Sequence, residues 1–111
     1  MRCHYVILLC FMAVAIPGCS ALKNEPKIDI DTYSAKEIYD LAEDRLAKNR
    51  PQDAAKYFSE IERLYPYSEW AKRGLIMQAY SFHKDKDYEN SRSAAQRYID
   101  FFPAAEDAAY A

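Results

Sequence analysis

Residues 34–66, SAKEIYDLAEDRLAKNRPQDAAKYFSEIERLYP, decide the fold of this 111-residue chain. The stretch opens on Ser34-Ala35-Lys36-Glu37, a capping box in which serine and glutamate each accept from the other's backbone, so a helix begins here. Apolar residues recur at helical spacing on both sides of Asn49-Arg50-Pro51, which breaks the pattern, and proline suits a first helical turn. The stretch therefore predicts two helices joined by a turn. Their apolar faces carry Ile38, Leu41, Ala42, Leu46, Ala54, Phe58, Ile61 and Tyr65.

The same frame returns in residues 68–103. Ser68 is placed to cap a third helix, a polar turn follows at residues 84–87, and a fourth helix ends before Pro103. Pro66 and Pro103 lie 37 residues apart, close to the 34-residue period of tetratricopeptide repeats. We therefore expect an all-α, tetratricopeptide-like α-solenoid, with a generic four-helix bundle as the alternative. Positions that match the repeat pattern are Ile38, Leu41, Ala42, Ala54, Phe58 and Pro66 in unit 34–67, and Leu75, Ala79, Phe82 and Pro103 in unit 68–103.

Several positions depart from that repeat pattern. Arg45 stands where an aromatic residue is usual, and Gln78 and Ser91 are also atypical. About three extra residues are expected in the loop around residues 67–70. Residues 104–111 resemble the first turn of a third repeat, and because solenoids bury each unit on a neighbour, the sequence predicts a truncated array.

Composition excludes several function classes. The two glycines, Gly18 and Gly74, cannot form a phosphate-binding glycine loop. Fifteen basic and 17 acidic residues give a net charge of −2, so the chain lacks the polybasic surface that nucleic acid requires. His83 has no second histidine or thiol nearby in sequence, and no base–nucleophile pair is evident, so we expect no metal, no cofactor and no enzymatic activity.

The N-terminus has the layout of an export signal. Arg2 precedes an apolar run, residues 5–16, which closes with Pro17-Gly18-Cys19. Twelve residues span about 18 Å as a helix, short of the ~30 Å hydrocarbon core, and a buried core helix is the alternative. Residues 16–19 resemble a bacterial lipobox, so residues 1–18 are predicted to be removed and Cys19 acylated, with ordinary signal cleavage as the alternative.

The residues after Cys19 indicate in which membrane such a lipoprotein is anchored and how its domain is attached. Acyl chains contribute about 0.8 kcal/mol per buried CH₂, so two or more chains anchor stably. Ser20, by resemblance to lipoprotein sorting signals, indicates the outer membrane and its periplasmic face. Residues 19–33 are predicted to form a polar tether, and the alternative is that Ile28 and Ile30 pack on the domain.

The first helix of each pair is expected to project a set of side chains toward the concave side of the solenoid. Aromatic, cationic and flexible apolar groups together can bind an extended peptide, because rings stack on its side chains and cations meet its carboxylates. The alternative is that these side chains pack against further repeats or one another. They are Lys36, Tyr39, Glu43, Arg73, Ile76, Met77, Tyr80 and His83.

A lipobox, a short tether and two repeats carrying Tyr65-Pro66-Tyr67-Ser68 and Phe101-Phe102-Pro103 resemble the N-terminal part of the BamD (ComL) family of outer-membrane assembly lipoproteins. The resemblance implies a non-enzymatic subunit that helps assemble β-barrel proteins into the outer membrane. Its partners would be β-barrel assembly subunits and unfolded outer-membrane proteins. Another periplasmic repeat lipoprotein, coordinating peptidoglycan or envelope assembly, is the alternative, and a hydrolase would need a catalytic pair.

Overall fold

The computed structural model describes residues 27–111, so the predicted signal peptide, the lipidation site Cys19 and the first part of the tether lie outside the described residues. Four helices follow one another: α1 (Ala35–Ala47), α2 (Pro51–Leu64), α3 (Glu69–Lys84) and α4 (Tyr88–Phe101). Short 3-10 helices span Ile30–Thr32 and Glu106–Ala109. Residues 27–111 contain no strand, which confirms the all-α prediction.

Short-range hydrogen bonds start the helices where the sequence predicts. The Ser34 backbone N–H donates to Glu37 Oε2 at 2.8 Å and the Glu37 N–H donates to Ser34 Oγ at 3.3 Å, so the capping box is complete. Ser68 Oγ accepts from the Ala71 N–H at 3.0 Å. Pro51 occupies the first turn of α2. Each helix then packs on the next, and α3 also touches α1.

The extra residues of the second hairpin lie in a helix, not in a loop. The N-caps Ser34 and Ser68 are 34 residues apart, whereas Tyr65 and Phe102, which cap the ends of α2 and α4, are 37 apart. The difference lies in α3, which has 16 residues against 13 in α1. The loop predicted around residues 67–70 is therefore wrong, because the Ser68 cap places Glu69 and Trp70 in the first turn of α3.

The buried core follows the predicted apolar faces. Small side chains at the crossings let the helix backbones approach, and larger ones fill the space between them. Leu41, Leu46 and Tyr65 are only half-buried. The hydrophobic residues exposed by 2% or less are Ile38, Ala42, Ala54, Ala55, Phe58, Ile61, Ala71, Leu75, Ala94 and Tyr98, and the polar Ser81 is fully buried with them.

Two atypical repeat positions are explained by hydrogen bonds. Gln78 is buried at 5% exposure, and its Oε1 accepts from Arg97 Nη2 at 2.9 Å. Arg97 also donates to Glu62 Oε1 at 3.2 Å, so one guanidinium links α2, α3 and α4. The Ser91 hydroxyl donates to the Ala79 carbonyl oxygen at 2.8 Å, which satisfies a polar group at the close approach of α3 and α4.

The segment before α1 packs on the first hairpin. Ile30 contacts the hydrophobic core, which favours the packed alternative for this part of the tether. The Tyr65 hydroxyl donates to the Tyr33 carbonyl oxygen at 2.6 Å, and Arg63 pairs with Asp31 at 2.6 Å. None of the described helices is long and apolar enough to cross a membrane.

Candidate polypeptide-binding surface

The structure divides the eight predicted surface residues into three groups. Lys36, Tyr39 and Arg73 gather around one aromatic ring on α1 and α3, and Glu43 lies beside Tyr39. Met77 is half-buried and packs against the hydrophobic core. The remaining three, Ile76, Tyr80 and His83, line a groove between α3 and α4.

Trp70 is the ring at the centre of the first group. The Arg73 guanidinium carbon lies 5.2 Å from its ring centroid and the Lys36 ammonium 5.8 Å, both within cation–π range. Tyr39 packs against Trp70 with ring centroids 5.1 Å apart and against the buried Phe58 at 5.3 Å. The Trp70 surface, meaning Trp70, Tyr39, Lys36 and Arg73, therefore joins two aromatic rings and two cations on α1 and α3.

The charges around this surface are partly balanced. Lys36 Nζ pairs with Asp40 at 2.6 Å, and both side chains are more than half exposed. Burial raises the pKa of the Tyr39 phenol, and the negative charge of Glu43 raises it further, while Arg73 opposes both effects. Tyr39 is therefore neutral across the physiological range. The surface can accept a carboxylate at its cations and an apolar side chain at its rings.

Trp70 is the residue that sequence reasoning missed. It lies in the first turn of α3, within the extra length that α1 lacks, so the repeat pattern has no position for it even though the Ser68 cap includes it in the third helix. Its spacing to Arg73 was the available signal, since residues three apart on a helix share a face. Trp70 is the only tryptophan of the sequence, and Arg73 follows it by three residues. This spacing indicates a stacked pair.

The third group faces a different space. The groove between α3 and α4 has a volume of about 640 Å³, and His83 packs edge-on against Tyr88 with ring centroids 5.4 Å apart. Tyr80 is half exposed at its rim. Within residues 27–111, no group of three His, Cys, Asp or Glu side chains is placed to hold a metal ion.

The fold and this surface define a protein of the helical-repeat class. The YfiO family model, described as an outer membrane lipoprotein, matches residues 31–111, and the chain belongs to this family. The chain is 30% identical over 100 residues to the outer membrane protein assembly factor BamD of Caulobacter vibrioides, covering 90% of this chain and 33% of that protein. The match confirms the predicted family and its tetratricopeptide-like helical fold.

Two further relatives bear the same name. The BamD of Pasteurella multocida is 24% identical over 98 residues, which is 88% of this chain and 36% of the relative. The BamD of Neisseria meningitidis is 23% identical over 109 residues, 96% of this chain and 40% of the relative. The chain thus spans about a third to two fifths of the length of these relatives and corresponds to their N-terminal part.

Proposed function

We propose that this chain is a non-enzymatic, lipid-anchored module of the outer membrane β-barrel assembly machinery that binds extended polypeptide. The family match and the assembly-factor names of its relatives support the cellular role. The observation that carries the binding role is the Trp70 surface, where two rings and two cations lie together on α1 and α3. The partners would be unfolded outer-membrane proteins and other assembly subunits.

The chemistry of the clients fits this surface. Strands of outer-membrane barrels alternate apolar and polar residues, with aromatic residues at both membrane interfaces. An unfolded strand therefore presents rings that Trp70 and Tyr39 can stack on, with polar side chains between them. Arg73 and Lys36 would meet carboxylates of the same segment, so binding would select strands that combine aromatic and acidic residues.

The single tryptophan provides a direct test. Because Trp70 is the only tryptophan of the chain, its fluorescence reports on this surface alone when a tryptophan-free barrel-strand peptide is added to the full chain anchored in protein-free lipid vesicles. We expect a saturable change, and at least a fivefold loss of affinity in Arg73→Gln. Lys84→Gln, at the exposed end of the same helix, is the matched control and should bind normally. No saturable change, or equal loss in both variants, would remove the binding role.

The anchor is tested separately. We propose that Cys19 carries acyl chains and holds the domain at the periplasmic face of the outer membrane. Mass spectrometry of the mature N-terminus should show an acylated Cys19, and Cys19→Ser should release the protein into the soluble periplasmic fraction. An unmodified Cys19 would contradict the anchor and leave the peptide-binding proposal standing.

The cellular role has its own readout. Affinity capture of the full chain should recover β-barrel assembly subunits. Recovery of peptidoglycan enzymes instead would favour the alternative role in envelope assembly.

A further inference from the structure

Glu43 is the one acidic residue among the eight predicted surface residues. On α1 it follows Tyr39 by four residues, and Lys36 precedes Tyr39 by three, so the three side chains share one face of the helix. Lys36 and Glu43 are two turns apart, about 10.5 Å along the helix axis. Tyr39 therefore lies between a cation and an acid on the same face of α1.

Charges of opposite sign lie near the Tyr39 ring. Burial raises the pKa of the Tyr39 phenol most, Glu43 raises it further, and Arg73 lowers it. The Arg73 guanidinium also lies 5.2 Å from the Trp70 ring centroid, which places this cation at the tryptophan end of the row. Lys36, Glu43 and Arg73 are all exposed, so a ligand packed on the two rings can reach each of these charges.

Asp40 does not take the place of Glu43. Its Oδ2 lies 2.6 Å from Lys36 Nζ, so these two charges balance each other. Asp40 also comes directly after Tyr39, and consecutive residues of a helix do not share a face. Arg73 and Glu43 are therefore the cation and the acid that border the Tyr39 ring.

We propose that Glu43 sets the sequence preference of the Trp70 surface, which binds an extended segment with an aromatic residue between an acidic and a basic one at alternate positions. The acid meets Arg73, the ring packs on Trp70 and Tyr39, and the base meets Glu43. Alternate residues of an extended chain point to the same side, and the first and third of them are about 13 Å apart. Long charged side chains can match that span to the two helical turns between Lys36 and Glu43. The proposal rests on the binding function proposed for this surface.

Glu43 discriminates by repulsion as well as by attraction. A segment with acids on both sides of its ring would place one of them beside Glu43, where like charges repel. A segment with one acid and one base has each charge opposite its complement. Specificity of this kind needs both the attractive and the repulsive contact.

Two tryptophan-free peptides that differ at one position test the proposal. Each carries a glutamate two positions before a central tyrosine, and the residue two positions after the tyrosine is lysine in one peptide and glutamate in the other. They are titrated into the full chain anchored in phosphatidylcholine vesicles, whose lack of net charge keeps the lysine peptide off the lipid, and Trp70 fluorescence reports binding. We expect the lysine peptide to bind about fivefold more tightly.

Variants at exposed positions identify the source of that preference. Glu43→Gln should reduce it to less than about twofold, and Glu43→Lys should reverse it. Asp44→Asn is the matched control, because it removes the same charge one residue later, off the face that Tyr39 shares, and should leave the preference unchanged. Arg73→Gln should weaken both peptides and keep the preference, since both carry the acid that Arg73 meets.

Equal affinity for the two peptides would overturn the proposal and leave the Trp70 surface as a binding site. A preference that Glu43→Gln does not change would also overturn it. If Asp44→Asn changes the preference as much as Glu43→Gln does, the preference follows net charge and not Glu43. Binding of neither peptide would remove the binding role of the Trp70 surface itself, and this proposal with it.

Discussion

Asn49 and Lys86 lie 37 residues apart and adopt the same left-handed conformation, with φ of 57° and 64°. Each ends the first helix of a hairpin. The Arg50 N–H donates to the Arg45 carbonyl at 2.8 Å, and the Asp87 N–H donates to the Phe82 carbonyl at 2.9 Å. Both turns are therefore Schellman motifs, in which a residue with positive φ lets the chain satisfy the last carbonyls of the helix.

This pair predicts a stabilising substitution. Left-handed backbone strains most L-residues but suits asparagine, whose short side chain is tolerated there. Lys86→Asn should therefore raise the free energy of unfolding, by up to about 1 kcal/mol in urea denaturation, because asparagine avoids part of the cost that left-handed backbone imposes on lysine. The reverse change, Asn49→Lys, should lower it by a similar amount. A loss of stability in Lys86→Asn would show that the lysine side chain compensates for its backbone conformation.

The capping box predicts a pH dependence. The Ser34 backbone N–H, and then the Ser34 hydroxyl, hold the pKa of Glu37 below its ordinary value of 4.5. Because the pKa of Glu37 is lower in the folded chain than in the unfolded chain, its charged form stabilises the fold. This stabilisation is fully present above the ordinary pKa and is lost as the pH falls through the lowered pKa. At pH 7, Glu37→Gln should therefore unfold at a lower urea concentration than the natural chain. This difference in urea midpoint should disappear by pH 2–3.

The control for this prediction lies at the start of α3. Ser68 caps that helix, but its third residue is Ala71, so no reciprocal carboxylate bond exists there. Glu69→Gln in its first turn should change the urea midpoint less between pH 7 and pH 3. If the urea midpoint of Glu37→Gln stays below that of the natural chain at acid pH, the negative charge of Glu37 does not stabilise the capping box.

Substitutions of Gln78 and of its donor Arg97 should lower the stability by different amounts. Arg97→Met removes the donor and leaves the Gln78 amide oxygen buried without it, which should cost about 1–3 kcal/mol. In the first hairpin, the position equivalent to Gln78 is occupied by Leu41, so Gln78→Leu introduces a residue that this position accepts. Arg97 stays paired with Glu62, and the substitution should lower the free energy of unfolding by less than about 1 kcal/mol. The double variant should be more stable than Arg97→Met alone in urea denaturation. If it is less stable, the guanidinium acts through Glu62 and not through Gln78.

Gly74 predicts a gain of stability from one methyl group. It lies within α3, and a Cβ would meet its nearest neighbours at 3.5 and 3.6 Å, which are ordinary contacts. Gly74→Ala should therefore stabilise the fold by about 0.5–1 kcal/mol, because glycine loses more backbone entropy in a helix. Gly74→Leu is the control and should destabilise it, since the larger side chain meets Ile61 and the Phe58 backbone. Thermal unfolding followed by circular dichroism measures both.

Features of the fold that depend on neighbouring residues follow from the sequence, and features that depend on distant residues do not. The Ser34 capping box, the break at Pro51 and the cap at Ser68 depend on groups three or four residues apart, so each was predicted at its residue. The length of α3 was not, because the repeat pattern has no position for the extra residues and the Ser68 cap decides where they go. Trp70 lies in that extra length, so it has no position in the repeat pattern and is absent from the predicted surface.

The sequence by itself determined an all-α chain of two capped hairpins, because capping, turn chemistry and helical periodicity act between near neighbours. Tertiary structure alone decided which side chains meet. It set Tyr39 against Trp70, 31 residues away, and brought Arg97 to Gln78 across α3 and α4. Those outcomes depend on how whole helices cross, and a crossing is set by the summed packing of many side chains, which no short motif encodes.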